Sequence, residues 1–147
     1  MTLNNIKFPA INDTSAYLIS GIPFVTASTL QSSDTFELNF DRVSAEVYIR
    51  NDEDLAGSRL SVGFSQNGIV SSSAGGLGNH YINIGPNQTQ RFVVRCATIF
   101  LSNSVGNNTN GSLKFQVLGS MTMIPAGSMP VLTASLNGTS SFTKGIG

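Results

Sequence analysis

The sequence predicts an all-β protein: one antiparallel β-sandwich or jelly roll of about eight strands, followed by an extended C-terminal arm. Three observations lead there. Apolar and polar residues alternate along most of the chain, the period of a strand with one buried face. Turn signals such as Asn67-Gly68 and Asn110-Gly111 punctuate these runs, because both residue types tolerate positive φ. No stretch carries the 3.6-residue period of an amphipathic helix.

The elements follow in chain order. After an N-terminal segment (1–15), "AYLIS" and "FVTAS" flank Gly21-Ile22-Pro23, a break between two short runs. In "FELNF", Phe36, Leu38 and Phe40 share a face. In "VSAEVYIR", Val43, Ala45, Val47 and Ile49 face one way, and Ser44, Glu46, Tyr48 and Arg50 the other. "RLSVGFS" repeats the alternation through Leu60, Val62 and Phe64, and "YINIG" adds Ile82 and Ile84. "QRFVVRCATIFLSN" begins with Phe92, Val94 and Cys96 inward, then Ile99 and Leu101 continue with the opposite parity. That shift predicts a β-bulge near Ala97 and Thr98 or a strand crossing between sheets. "LKFQVLGSMTMI" keeps Leu113, Phe115, Val117, Met121 and Met123 in phase, with Gly119 as a kink. The predicted core comprises Phe40, Val47, Ile49, Leu60, Val62, Phe64, Phe92, Val94 and Phe115. Residues 1–124 form the sandwich domain. Residues 125–147, with two prolines and many small residues, form the arm, anchored through Val131, Leu132, Leu136 and Phe142.

Charge is sparse and lopsided. Asp, Glu, Lys and Arg make up 11% of the chain, against roughly 25% in an average soluble domain. Every acid lies at or before Asp54, and the remainder carries only bases: Arg59, Arg91, Arg95, Lys114 and Lys144. Folding either interleaves the two segments or leaves opposite patches that meet between subunits. The scattered bases argue against a nucleic-acid partner. One cysteine, Cys96, excludes an intrachain disulfide. The N-terminus lacks the basic and apolar regions of a signal peptide, and no apolar run approaches the roughly 20 residues of a membrane span.

Candidate chemistry is thin. "NDEDLAGS" places Asp52, Glu53 and Asp54 side by side between two alternating runs. Calcium favours such oxygens, but the EF-hand's alternating acids and closing Glu are missing, so the stretch is read as the solvated end of a hairpin, and no metal is expected. His80 is the only histidine, and one His with one Cys makes a poor zinc site. No G-x-S-x-G elbow exists to present a nucleophile. "SSSAGGLGN" lacks the lysine of a P-loop and reads as a surface loop. Sequons begin at Asn12, Asn87, Asn107, Asn110 and Asn137, as chance allows in so Asn-, Ser- and Thr-rich a chain. No enzyme activity and no cofactor are expected.

Several stretches together, "SGIPFVTAST", "FDRVSAEVYIRND", "LSVGFSQNGI", "FVVRCATIFLSN" and "FQVLGSMTMIPAGSMPVLTAS", resemble small single jelly-roll capsid proteins of viruses, such as the vertex (penton) and minor capsid proteins of large algal viruses. The resemblance implies a non-enzymatic virion component, made in the host cytoplasm, that partners with itself, as in a pentamer, and with other capsid proteins. A capsid decoration or spike protein, or a carbohydrate-binding sandwich with Tyr48 as its outward aromatic, are the alternatives. The subunit-interface candidates are Asp52, Glu53 and Asp54, the bases Arg59, Arg91 and Arg95, and Val131 and Leu132 of the arm.

Overall fold

A computed structural model describes residues 21–32, 34–69, 81–103, 111–136 and 139–144. For residues 67, 131–136 and 139–144 the backbone alone is described. Ten strands follow in order: β1 (Ile22–Gln31), β2 (Thr35–Asn39), β3 (Arg42–Asn51), β4 (Leu60–Gly63), β5 (Tyr81–Ile84), β6 (Thr89–Phe92), β7 (Thr98–Asn103), β8 (Ser112–Pro125), β9 (Val131–Leu136) and β10 (Thr139–Lys144). A four-residue helical turn, α1 (Gln66–Ile69), follows β4, and a 3₁₀ turn (Ala126–Ser128) follows β8.

The pairing is that of one long ribbon folded at its middle. β1 pairs with β8, β2 with β7, β3 with β6 and β4 with β5, all antiparallel. Rolling this ribbon up brings β3 against β8 and β4 against β7. Two four-stranded sheets result, sheet 1 in the order β1-β8-β3-β6 and sheet 2 in the order β2-β7-β4-β5. This is the double-sheet jelly roll, and the predicted fold class stands.

Alternation decides what fills the space between the sheets. Val47, Ile49, Leu60, Val62, Ile99, Leu101, Leu113, Phe115 and Val117 form the centre of one buried cluster. Seven of the nine predicted core residues are buried; Phe64 and Val94 pack against the cluster but are half-buried. Both lie just beyond strand ends, Phe64 after β4 and Val94 after β6, where the facing sheet no longer covers them fully.

Two sequence expectations need correction. The acidic loop does not close a hairpin: β3 and β4 belong to different sheets, so residues 52–59 arch across one end of the sandwich. Asn67-Gly68 forms no tight turn but lies inside α1. The Ser65 hydroxyl accepts the Gly68 N–H at 3.2 Å, a helix N-cap that outcompetes the hairpin turn.

The parity shift in "QRFVVRCATIFLSN" is a crossing between sheets. The chain leaves sheet 1 after Phe92, runs through residues 93–97 and enters sheet 2 at Thr98. The irregularity in strand pairing sits instead in β3, between Arg42 and Ser44 and again between Ser44 and Glu46. Ser44 ties the two departures together. Its N–H donates to Cys96 O at 2.9 Å, and its hydroxyl donates to Val94 O at 2.7 Å and accepts the Cys96 N–H at 3.1 Å. Displaced by the same irregularity, Val43 joins Ile124 and Met129 in a second small cluster.

The outer faces differ. Phe100 alternates with Ile99 and Leu101 and so points away from the main core, yet it is only 8% exposed. Ser61 and Gly63, on the same face, are buried too. Their cover comes from the chain itself: α1 packs on β4 and β7, and β10 packs on α1. The expected extended arm is thus a paired hairpin, β9 with β10, which reaches α1 of its own domain. The outer face of sheet 1 has no such cover among the described elements.

Candidate interaction surface

The acidic arch is held by short polar ties that begin at Asn51, a fully buried residue at the end of β3. Its N–H donates to Gln88 O at 3.0 Å, its Nδ2 donates to Ile84 O at 3.1 Å, and its Oδ1 accepts the Glu53 N–H at 3.2 Å. From there the acids diverge. The Asp52 N–H donates to Lys114 O at 2.9 Å. Its carboxylate accepts from Arg50 Nε at 3.1 Å and from Gln116 Nε2 at 3.0 Å, on the outer face of sheet 1. Asp54 accepts from Asn87 Nδ2 in the β5–β6 turn. The Asn87 N–H donates to Glu53 O at 3.2 Å, and Asn87 itself sits at φ 54°, a conformation asparagine tolerates. Among the described residues no group of three or more His, Cys, Asp and Glu is placed to hold a metal. Removing divalent cations with a chelator should therefore leave the melting temperature and the particle mass unchanged; a drop of several degrees, reversed by calcium, would assign the arch a metal after all.

The other charged candidates are scattered around the sandwich. Arg91, on β6, binds Glu46 of β3 within the chain through Nε at 2.9 Å and Nη2 at 2.6 Å. That hydrogen bond and the charge of Glu46 hold its guanidinium above the ordinary value. Arg95 donates to Ala45 O in the crossing segment. Arg59 stands exposed before β4. The structure therefore pairs Arg50 with Asp52 and Arg91 with Glu46, and it does not bring Arg91 or Arg95 to the acids of the arch. Folding interleaves the acid-rich and base-rich segments at Arg91–Glu46. Both pairs are solvent-exposed, so solvent screening leaves them little weight in stability. Val131 and Leu132 open β9, opposite Lys144 and Thr143, with side chains outside the described residues.

Strand register lines up a row on the outer face of sheet 1: Val25 opposite Leu118, Leu118 opposite Tyr48, and Tyr48 opposite Arg91. Val25 is 74% exposed and Leu118 51%. The Tyr48 ring lies on this face, as its alternation predicts, with the Arg91 guanidinium 5.9 Å from its centroid. That cation occupies part of the ring surface a sugar would stack on.

At the opposite end from the acidic arch, a cleft of about 220 Å³ opens between β2, β7 and the 3₁₀ turn. Phe40, Ala97 and Met129 supply apolar walls, and Asn39 and Thr98 the polar rim. The Thr98 hydroxyl already donates to Asn39 Oδ1 at 2.9 Å, so the rim is engaged with itself. Cys96 is fully buried, and burial pushes its thiol above the ordinary range, against a smaller opposing effect of the Ser44 hydrogen bond. It packs as a small apolar side chain rather than as a nucleophile. His80, the loop from Val70 and the sequons at Asn12, Asn107, Asn110 and Asn137 lie outside the described residues.

Sequence reasoning passed over the exposed apolar residues Val25, Val93 and Leu118; it placed Ile22 in a break between two runs, whereas Ile22 opens β1, and it grouped Ile82 with the buried Ile84, whereas Ile82 is exposed. A signal for two of them was present. If Phe92 and Val94 face inward, Val93 between them faces out, and Leu118 between Val117 and Gly119 does likewise.

No family model matches the chain, and no curated protein matches it. The likeness to capsid proteins therefore rests on the sequence stretches that carry it. Among solved structures, a de novo designed double-stranded β-helix aligns with a TM-score of 0.40 at 13% identity, over 66% of this chain and 99% of that one. The mitogen of Yersinia pseudotuberculosis aligns with a TM-score of 0.39 at 8% identity, over 69% of this chain and 86% of that one. A Bacillus endospore appendage, from a family of disulfide-linked pili, aligns with a TM-score of 0.35 at 13% identity, over 69% and 89%.

Proposed function

We propose that this chain is a non-enzymatic structural protein of an icosahedral virus capsid, assembling with copies of itself into a closed ring, as at a five-fold vertex. The observation that carries the reading is the pairing of all eight sandwich strands as a rolled ribbon, β1 with β8 through β4 with β5. It gives physical form to the likeness found in the sequence stretches. Fold by itself does not assign function, so the surface has to support it. The outer face of sheet 2 carries the chain's own α1, on which β10 packs, whereas among the described residues the outer face of sheet 1 and the lateral edges carry exposed apolar side chains. Residues of that kind suit contacts between copies. Its place would be the virion, after synthesis in the host cytoplasm.

Sedimentation of the purified chain, with particle imaging, tests the proposal. The expected result is a discrete assembly larger than the monomer, with five-fold symmetry. A trimer would favour a spike or decoration protein. A strict monomer that binds a glycan would replace the capsid reading with the carbohydrate-binding one.

A further inference from the structure

The sequence contains three Asn-Gly dipeptides, beginning at Asn67, Asn110 and Asn137. Such dipeptides favour turns, and they are also the ones most prone to lose the asparagine amide, because glycine has no Cβ to shield its backbone nitrogen. In that reaction base takes the proton of the glycine N–H, and the nitrogen forms a bond to the asparagine Cγ. The Cγ–Nδ2 bond breaks, the amide nitrogen leaves as ammonia with a proton returned to it, and a cyclic imide remains. Water then opens the imide at either carbonyl, to aspartate or to isoaspartate, whose side-chain methylene has become part of the backbone.

At Asn67-Gly68 the fold opposes the first of these steps. The nucleophile is the Gly68 nitrogen, and its N–H donates to the Ser65 hydroxyl at 3.2 Å, away from solvent. Gly68 and Ile69 are both buried. The dipeptide lies inside α1, where the backbone holds ψ near about −42°, an angle at which the imide ring does not close. α1 is itself packed on β4, β7 and β10, so the turn opens only when those contacts are given up.

We infer that Asn67-Gly68 is a deamidation site locked by the fold: it is inert while the Ser65 cap and the packing of α1 hold the turn, and it reacts once α1 opens. Reaction then proceeds through the opened fraction alone, so its rate reports a local equilibrium rather than global unfolding. The change runs one way. Its product carries a carboxylate in place of the amide, and isoaspartate lengthens the backbone inside a four-residue turn whose Gly68 and Ile69 are buried. Such a turn no longer fits its place on β4 and β7. Molecules in which α1 has opened, with or without its cover of β10, are thereby marked covalently. The inference is independent of the ring-forming reading and holds for a monomer as well as for an assembly.

Incubation of the purified chain at mildly alkaline pH, folded or in concentrated urea, tests it. Trypsin releases residues 60–91 as one peptide that contains Asn67 and no other Asn-Gly, and mass spectrometry reads the conversion at that residue. Asn67 should convert more than about tenfold more slowly in the folded chain than in urea, as a locally closed structure requires. In Ser65→Ala, with thermal melting to check that the fold is kept, conversion should be about fivefold faster than in the folded wild type, the change expected from loss of a helix N-cap. Hydrogen exchange on the wild type reads the same opening without a substitution, and the Gly68 N–H should be protected. Equal rates in the folded chain and in urea, or a freely exchanging Gly68 N–H, would overturn the inference. A folded Ser65→Ala that converts at the wild-type rate would overturn it too, since the cap would then not be the lock.

Discussion

Phe115→Ala is expected to lower the free energy of unfolding by about 3–5 kcal/mol, the range for removing a buried aromatic ring. Phe115 is 1% exposed and lies in β8, with Ser28 of β1 on one side and Asn51 of β3 on the other. Its ring meets that of Phe36, on the facing sheet, at 5.5 Å between centroids and 56° between planes. The substitution therefore opens a void between the two sheets. Backbone pairing on both sides of β8 limits how far the site can collapse. Phe64→Ala should cost less, because Phe64 is half-buried and meets Phe92 at 6.2 Å near the end of β4. Chemical denaturation of both variants measures the difference. A loss below about 1 kcal/mol for Phe115→Ala would show that the inner face of β8 is misassigned.

What was legible in the sequence was the set of faces. Period-two alternation identifies which side chains of a strand share a side, and it placed Val47, Ile49, Leu60, Val62 and Phe115 in the core. Alternation says nothing about which strand lies alongside. A strand–loop–strand reading of residues 44–68 suggested a hairpin, whereas β3 takes β6 and β8 as neighbours and β4 takes β5 and β7. In a rolled ribbon most successive strands belong to different sheets, so sequence adjacency misleads. The parity change after Cys96 was the one local trace of that architecture, a chain leaving one sheet and entering the other.

The interaction surface was less legible for a related reason. Charge counted along the chain separates acids from bases, but only the fold shows that Glu46 meets Arg91 and that Asp54 meets the β5–β6 turn. The conspicuous acids of the arch drew attention because they are consecutive. In the fold they turn to separate local donors, Arg50 and Gln116 for Asp52 and Asn87 for Asp54. The C-terminal segment, rich in small residues and prolines, gave no hint that β10 packs on α1. That contact depends on a helical turn set by the Ser65 cap, which the Asn-Gly signal concealed.

Asn51→Leu should be the most damaging substitution in the acidic arch, although Asn51 carries no charge. The leucine side chain is close in size but can neither donate to Ile84 O nor accept from the Glu53 N–H. The Ile84 O tie is buried and the Glu53 N–H tie part-buried; a buried backbone group left without a partner costs about 1–3 kcal/mol, so the loss comes chiefly from Ile84 O. Asp52→Asn removes a salt bridge whose partners are both substantially exposed, and should cost about 0–1 kcal/mol. Thermal or denaturant unfolding of the two variants ranks them. A larger loss for Asp52→Asn than for Asn51→Leu would mean that the carboxylates, not the buried amide, organise this end of the sandwich. With the expected ranking, the arch is a brace joining β3 to the β5–β6 turn. Charge-neutralising changes in it then alter surface charge with little effect on the fold.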